Sequence, residues 1–105
     1  MEIDRKTFLK EKLNNFILFI ENTFGKNNIL LREFSSYIDI DKSIEPFLKG
    51  ILQLCNFLDL PMDNEDKKNK NMLKLNTFLE YKGLSTSEEN KFKMLRYFEL
   101  FFRTF

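Results

Sequence analysis

Three groups of side chains in this 105-residue chain have the types and spacing to do chemistry: the lone thiol of Cys55, the carboxylates Asp39 and Asp41 with Glu45 nearby, and the lysine run Lys67, Lys68, Lys70 and Lys74. A thiol becomes a nucleophile where neighbouring positive charge lowers its pKa. Cys55 instead lies at helical spacing among Leu48, Ile51, Leu52 and Leu58, where cysteine behaves as a small apolar residue. The acidic residues offer oxygen ligands to a hard cation. Without substrate phosphates they are too few for a full shell, and capping of a helix junction accounts for them equally well. The lysines suit phosphates, because each neutralised phosphate releases a counterion and adds affinity; a solvated polar face is the plainer reading of the same run.

The usual catalytic equipment is missing from the sequence. It has no histidine, the commonest general base and metal ligand. One cysteine cannot build a thiolate zinc site. With glycine only at positions 25, 50 and 83, neither G-x-G-x-x-G nor G-x-x-x-x-G-K can be written, so phosphate-cradling loops are excluded. Nucleophilic triads lack their base. The expectation is a protein that is not an enzyme and that uses no cofactor and no metal.

What must position these residues is helical. Thirteen Phe, sixteen Leu and eight Ile supply the core, and Ala, Val, Trp and His do not occur. Residues with A/T-rich codons are abundant, which points to a low-G+C genome such as that of a bacterium, its phage or a mobile element. One cysteine fits a reducing compartment. The first twelve residues alternate acid and base with no apolar stretch of signal-peptide type, and no run approaches the ~20 residues of a membrane span. A cytoplasmic protein that does not enter the membrane is expected.

The spacing predicts a single helical domain over 1–105, all-α, a compact bundle of four to five short helices. In the first helix, about Thr7 to Phe24, Leu9, Leu13, Phe16, Ile17, Ile20 and Phe24 share an arc about 100° wide. Asp4 is the expected N-cap and Gly25 the residue after the C-cap. Phe8 and Phe19 flank that arc, and Leu18 points away from it. Asn27 or Asn28 caps a second helix, Ile29 to about Ile38. A third, Ile44 to about Asp59, carries the broadest apolar arc and stops before Pro61. Asp63 to Asn71 has no apolar residue and reads as a polar loop or the frayed start of a helix. Met72, Leu75, Phe78 and Leu79 then share a face, and Gly83 ends that helix. Ser85 with Glu88 and Thr86 with Glu89 form overlapping capping boxes. In the last helix Met94, Leu95, Tyr97, Phe98, Phe101, Phe102 and Phe105 point inward; Phe92 and Leu100 fall among Lys93, Arg96, Glu99 and Arg103.

The stretch Phe78-Leu79-Glu80-Tyr81-Lys82-Gly83-Leu84-Ser85, followed by Phe92 and the run from Leu95 to Phe102, resembles the helix-turn-helix spacing in the N-terminal core-binding domain of tyrosine recombinases. It covers about a quarter of the chain. Glu88 and Phe92 stand where that family pairs threonine with tyrosine, so the resemblance is partial.

Residues 1–66 carry eight bases and twelve acids, whereas 67–105 carry nine bases and four acids. Attraction between the two halves inside one fold, an acidic partner, or nucleic acid would explain the imbalance. The leading expectation is a small non-catalytic protein-binding module, a regulator, inhibitor or complex subunit of phage or mobile-element type. Its interface would use the off-arc residues Phe92 and Leu100 with Lys93, Arg96 and Arg103. The alternative is a nucleic-acid-binding protein using the basic half, with Lys67, Lys68, Lys70 and Lys74 as contacts. Self-association into a homodimer through Phe92 and Leu100 is a third expectation.

Overall fold

The computed structural model describes residues 5–35, 51, 53 and 56–104, and among these every regular element is an α-helix. The fold class expected from periodicity, all-α, is therefore observed. Four helices are described: α1 (Arg5–Phe24), α2 (Ile29–Ser35), α3 (Glu65–Tyr81) and α4 (Glu88–Thr104). The chain divides into two compact units, Met1–Gly50 and Ile51–Phe105.

In the first unit α1 packs against α2. Leu9, Leu13, Phe16 and Ile20, spaced three or four residues apart, are buried as their arc requires, and Leu30 of α2 joins them. Phe8 and Phe19 are half-buried on the flanks, and Leu18 is exposed. Gly25 follows α1 with a φ of 94°, a left-handed conformation open to glycine at little cost. Of the two asparagines that could cap α2, Asn28 does so: its Oδ1 accepts the N–H of Leu31 at 3.0 Å, while its Nδ2 donates to the carbonyl of Gly25. The expected cap Asp4, the end of the second helix beyond Ser35, and the residues Asp39, Asp41, Glu45 and Cys55 lie outside the described residues.

In the second unit α3 packs against α4. Most of the third helix expected from the sequence lies outside the described residues. Ile51 within it is helical and fully buried. The chain has left the helix by Asn56, whose N–H donates to the Gln53 carbonyl in a tight turn, so that helix stops short of Asp59. The polar stretch 63–71 is a helix start. Asn64 is the N-cap of α3, its Oδ1 accepting the Lys67 N–H at 2.9 Å, and Glu65 and Asp66 place negative charge at the positive end of the helix dipole. Leu75 and Leu79 are buried along α3.

Helix α3 ends in a Schellman motif: Leu84 N–H reaches the Leu79 carbonyl at 2.8 Å and Gly83 N–H the Glu80 carbonyl at 3.0 Å, with Gly83 at a φ of 73°. The cap of α4 is Ser87, not Ser85 or Thr86. Its hydroxyl accepts the Asn90 N–H at 3.2 Å, so the position reciprocal to the cap holds Asn90, and neither expected capping box forms. Met94, Leu95, Phe98 and Phe101 fill the inner face of α4. Phe102, expected inside, is exposed near the end of the helix.

Candidate functional site

Outside their cores, α3 and α4 bring most of the predicted site residues into the Ile51–Phe105 unit, and the structure sorts them into three settings.

The first is an aromatic–cation cluster. Phe92, an off-arc residue open to solvent or to a second neighbour on spacing alone, is half-buried: the Lys68 ammonium of α3 lies 4.7 Å from its ring centroid, and the Arg96 guanidinium one turn along α4 lies 5.0 Å from the same centroid. A cation near an aromatic ring is attracted by its quadrupole, worth about 0.5–1 kcal/mol at sites open to water. Lys68 from the phosphate-contact set and Phe92 with Arg96 from the interface set thus meet at one ring.

The second is a polar scaffold that periodicity did not reveal. Glu99 lies on the arc with Arg96 and Arg103, where solvent was expected, yet it is only 4% exposed. Its carboxylate accepts the backbone N–H of Met62 at 2.7 Å, and Arg96 and Arg103 stand 3.5 and 3.8 Å away. Asn71, from the stretch with no apolar residue, is fully buried. It accepts the Asp59 N–H and donates to the Asp59 carbonyl, each at 2.8 Å, so one amide closes on one residue's backbone. Lys91 is also buried, its ammonium donating to Asn76 Oδ1 at 2.5 Å and pairing with Glu88 at 3.3 Å. The loop of residues 59–62 turns Asn71 and Glu99 inward and Asn76 of α3 does so for Lys91, and no periodicity encodes such contacts between elements. Of the remaining interface candidates, Leu100 is half-buried and Lys93 is exposed beside Glu89 at 3.6 Å.

The third setting is the outward face of α3. Leu73, Thr77 and Tyr81 succeed one another at four-residue steps, forming one surface row. Leu73 is 70% and Tyr81 84% exposed, the two most exposed large apolar side chains among the described residues. Lys70 and Lys74 form the adjacent row and are exposed. The other seven bases of 67–105 are engaged. Lys67 pairs with Asp63, Lys68 with Glu65, Lys91 with Glu88, Lys93 with Glu89, and Arg96 and Arg103 with Glu99; Lys82 lies over the Phe78 and Tyr81 rings. Lys70 and Lys74 make no ion pair or hydrogen bond with a described side chain.

The unit boundary also redraws the charge map. Cut at Gly50 rather than after Asp66, Ile51–Phe105 holds nine bases and eight acids, so the acidic run before α3 offsets the basic run inside it. Among the described residues no group of three His, Cys, Asp or Glu side chains comes together as a metal site, and no helix is long and apolar enough to cross a membrane. Comparison with protein-family models, curated proteins and solved structures found no match to this chain.

Proposed function

We propose that this chain is a small non-catalytic protein-binding module, a regulator, inhibitor or complex subunit, that holds its partner on the outward face of α3. The observation that carries this reading is the exposure of Leu73 and Tyr81 in one row beside Lys70 and Lys74. Apolar side chains exposed in one row, with polar and charged residues at its rim, have the composition of an interface. This moves the proposed contact from the α4 residues Phe92, Leu100, Lys93, Arg96 and Arg103 to α3, because the α4 cations are tied to acids and Phe92 is covered. A phage or mobile-element origin in a low-G+C host, and a cytoplasmic location, belong to the same reading and rest on composition.

The nucleic-acid alternative draws on the same half of the chain. Proteins that lean on phosphate contacts use several at once, on the order of 6–10 in strongly salt-dependent cases. Lys67 and Lys68 already face Asp63 and Glu65, leaving Lys70 and Lys74 as the unpaired members of that run. That balance favours a protein partner.

The test replaces Tyr81 with a photo-crosslinking phenylalanine in the full chain expressed in its host. The expected product is a discrete adduct that protease destroys and nuclease leaves intact. A nuclease-sensitive adduct, or a gel shift with DNA or RNA that fades steeply with salt, would establish the alternative. An adduct of the chain with itself would establish self-association.

A further inference from the structure

We infer that the partner presents an acidic amphipathic helix to α3, with its carboxylates along one flank only. This rests on the protein-binding reading above and specifies the chemistry of what is bound. Leu73 and Tyr81 lie eight residues apart on a straight helix, about 12 Å along its axis at 1.5 Å per residue. A partner helix laid along that row meets both with apolar residues seven or eight positions apart, by the ridge-and-groove packing that governs paired helices. An extended strand finds no edge to pair with, since among the described residues the unit has no β-strand.

Charge selects the flank. On one side of the Leu73–Thr77–Tyr81 row stand Lys70 and Lys74, exposed and without an acidic partner among the described residues. On the other side stands Glu80, whose carboxylate accepts from Asn76 at 3.2 Å; Asp66, four residues before Lys70, opens the lysine row itself. An approaching helix with acids on its lysine-facing flank gains two ion pairs. A helix with acids on one flank docks in the direction that turns them to the lysines and away from Glu80, whereas a basic helix meets the two lysines. The face therefore selects partner helices by sign of charge. Contact along a single helix face is small, so the complex is of the weak, exchangeable kind, with affinity set by a few residues.

The probe is a capped, alanine-based helical peptide with two leucines seven residues apart and glutamates along the flank that faces Lys70 and Lys74. Binding to the full chain is followed by fluorescence anisotropy. The glutamate peptide is expected to bind about fivefold more tightly than its glutamine counterpart at low ionic strength, as two exposed ion pairs allow, and that margin should close as salt rises. Lys70→Glu with Lys74→Glu should abolish the preference for glutamate. Leu73→Ser and Tyr81→Ser should each weaken both peptides, and circular dichroism should show these surface variants as helical as the parent. Equal binding of the glutamine peptide, or indifference to the lysine reversals, would each overturn the inference. So would tighter binding of a single-stranded oligonucleotide than of the peptide. If Tyr81 crosslinks to a protein in cells while the acidic peptide is ignored, the assigned partner chemistry fails and the protein-binding reading stands.

Discussion

The carboxylate of Glu99 on α4 accepts the backbone N–H of Met62 at 2.7 Å, joining positions 37 residues apart in sequence. This N–H belongs to a half-buried irregular segment and has few alternatives to that oxygen. The two arginines beside the carboxylate are largely exposed, at 63% and 59% of their side-chain surface, so water screens much of their attraction. The backbone hydrogen bond, to a charged and buried acceptor, is the larger contribution.

Glu99→Ala is accordingly expected to destabilise the protein by about 2–3 kcal/mol, the range for losing a hydrogen bond to a charged group. Glu99→Gln keeps an acceptor and should cost about 1 kcal/mol, while Arg96→Ala and Arg103→Ala should each cost less than about 1 kcal/mol. Urea unfolding of the four variants measures the order. An Arg96→Ala cost equal to that of Glu99→Ala would show that the ion pairs dominate instead.

Asn71→Ala removes a donor and an acceptor at once and leaves a cavity where a fully buried side chain stood. About 2–3 kcal/mol should be lost. Asn71→Asp retains the acceptor but sets a carboxylate against the Asp59 carbonyl, and should be at least as damaging. Thermal unfolding monitored by circular dichroism ranks the two; a neutral Asn71→Ala would mean that water replaces the amide.

The ring of Phe92 couples two cations that do not touch the same acid. A double-mutant cycle pairing Phe92→Leu with Lys68→Met, and another with Arg96→Met, should each return a coupling of about 0.5–1 kcal/mol. Zero coupling in both cycles would reduce Phe92 to apolar packing alone.

Gly83→Ala should cost about 1 kcal/mol or more. Nothing lies within 4 Å of where its Cβ would stand, so this loss comes from the left-handed backbone and not from a clash. Gly83→Asn, better tolerated in that conformation, should recover part of it in the same unfolding assay.

Where side chains follow helical spacing and neighbours lie along the same helix, the sequence was easily legible. Leu9, Leu13, Phe16 and Ile20 of α1, Leu75 and Leu79 of α3, and Met94, Leu95, Phe98 and Phe101 of α4 are buried as their arcs required. Gly25 and Gly83 follow their helices in the conformation that their positions called for. What periodicity missed involves contacts between elements. Asn71 and Glu99 are polar, so spacing turned them outward, whereas a loop distant in sequence bonds to both. Spacing leaves Phe92 off its arc without naming a neighbour, because the ammonium over its ring belongs to α3. The start of α4 slipped from the expected capping boxes to Ser87 because three consecutive hydroxyl residues compete for one cap. The outward row of α3 carries no such signal: Leu73 and Tyr81 fall outside the face of Met72, Leu75, Phe78 and Leu79, and the lysines beside them read as a solvated polar face or as phosphate contacts.

The clamp of Asn71 on Asp59 also fixes how the second unit opens. The amides of Asp59 and Met62 sit in irregular backbone, where exchange with deuterated water is ordinarily fast. Here each is donated to a buried side chain of a helix, to α3 in one case and α4 in the other. Neither hydrogen can be released until its helix yields that side chain, so both amides should exchange at the pace of α3 and α4 rather than of a surface loop. Residues 59–62 are in that sense part of the cooperative opening unit of the helices, an irregular segment with the kinetic behaviour of the core.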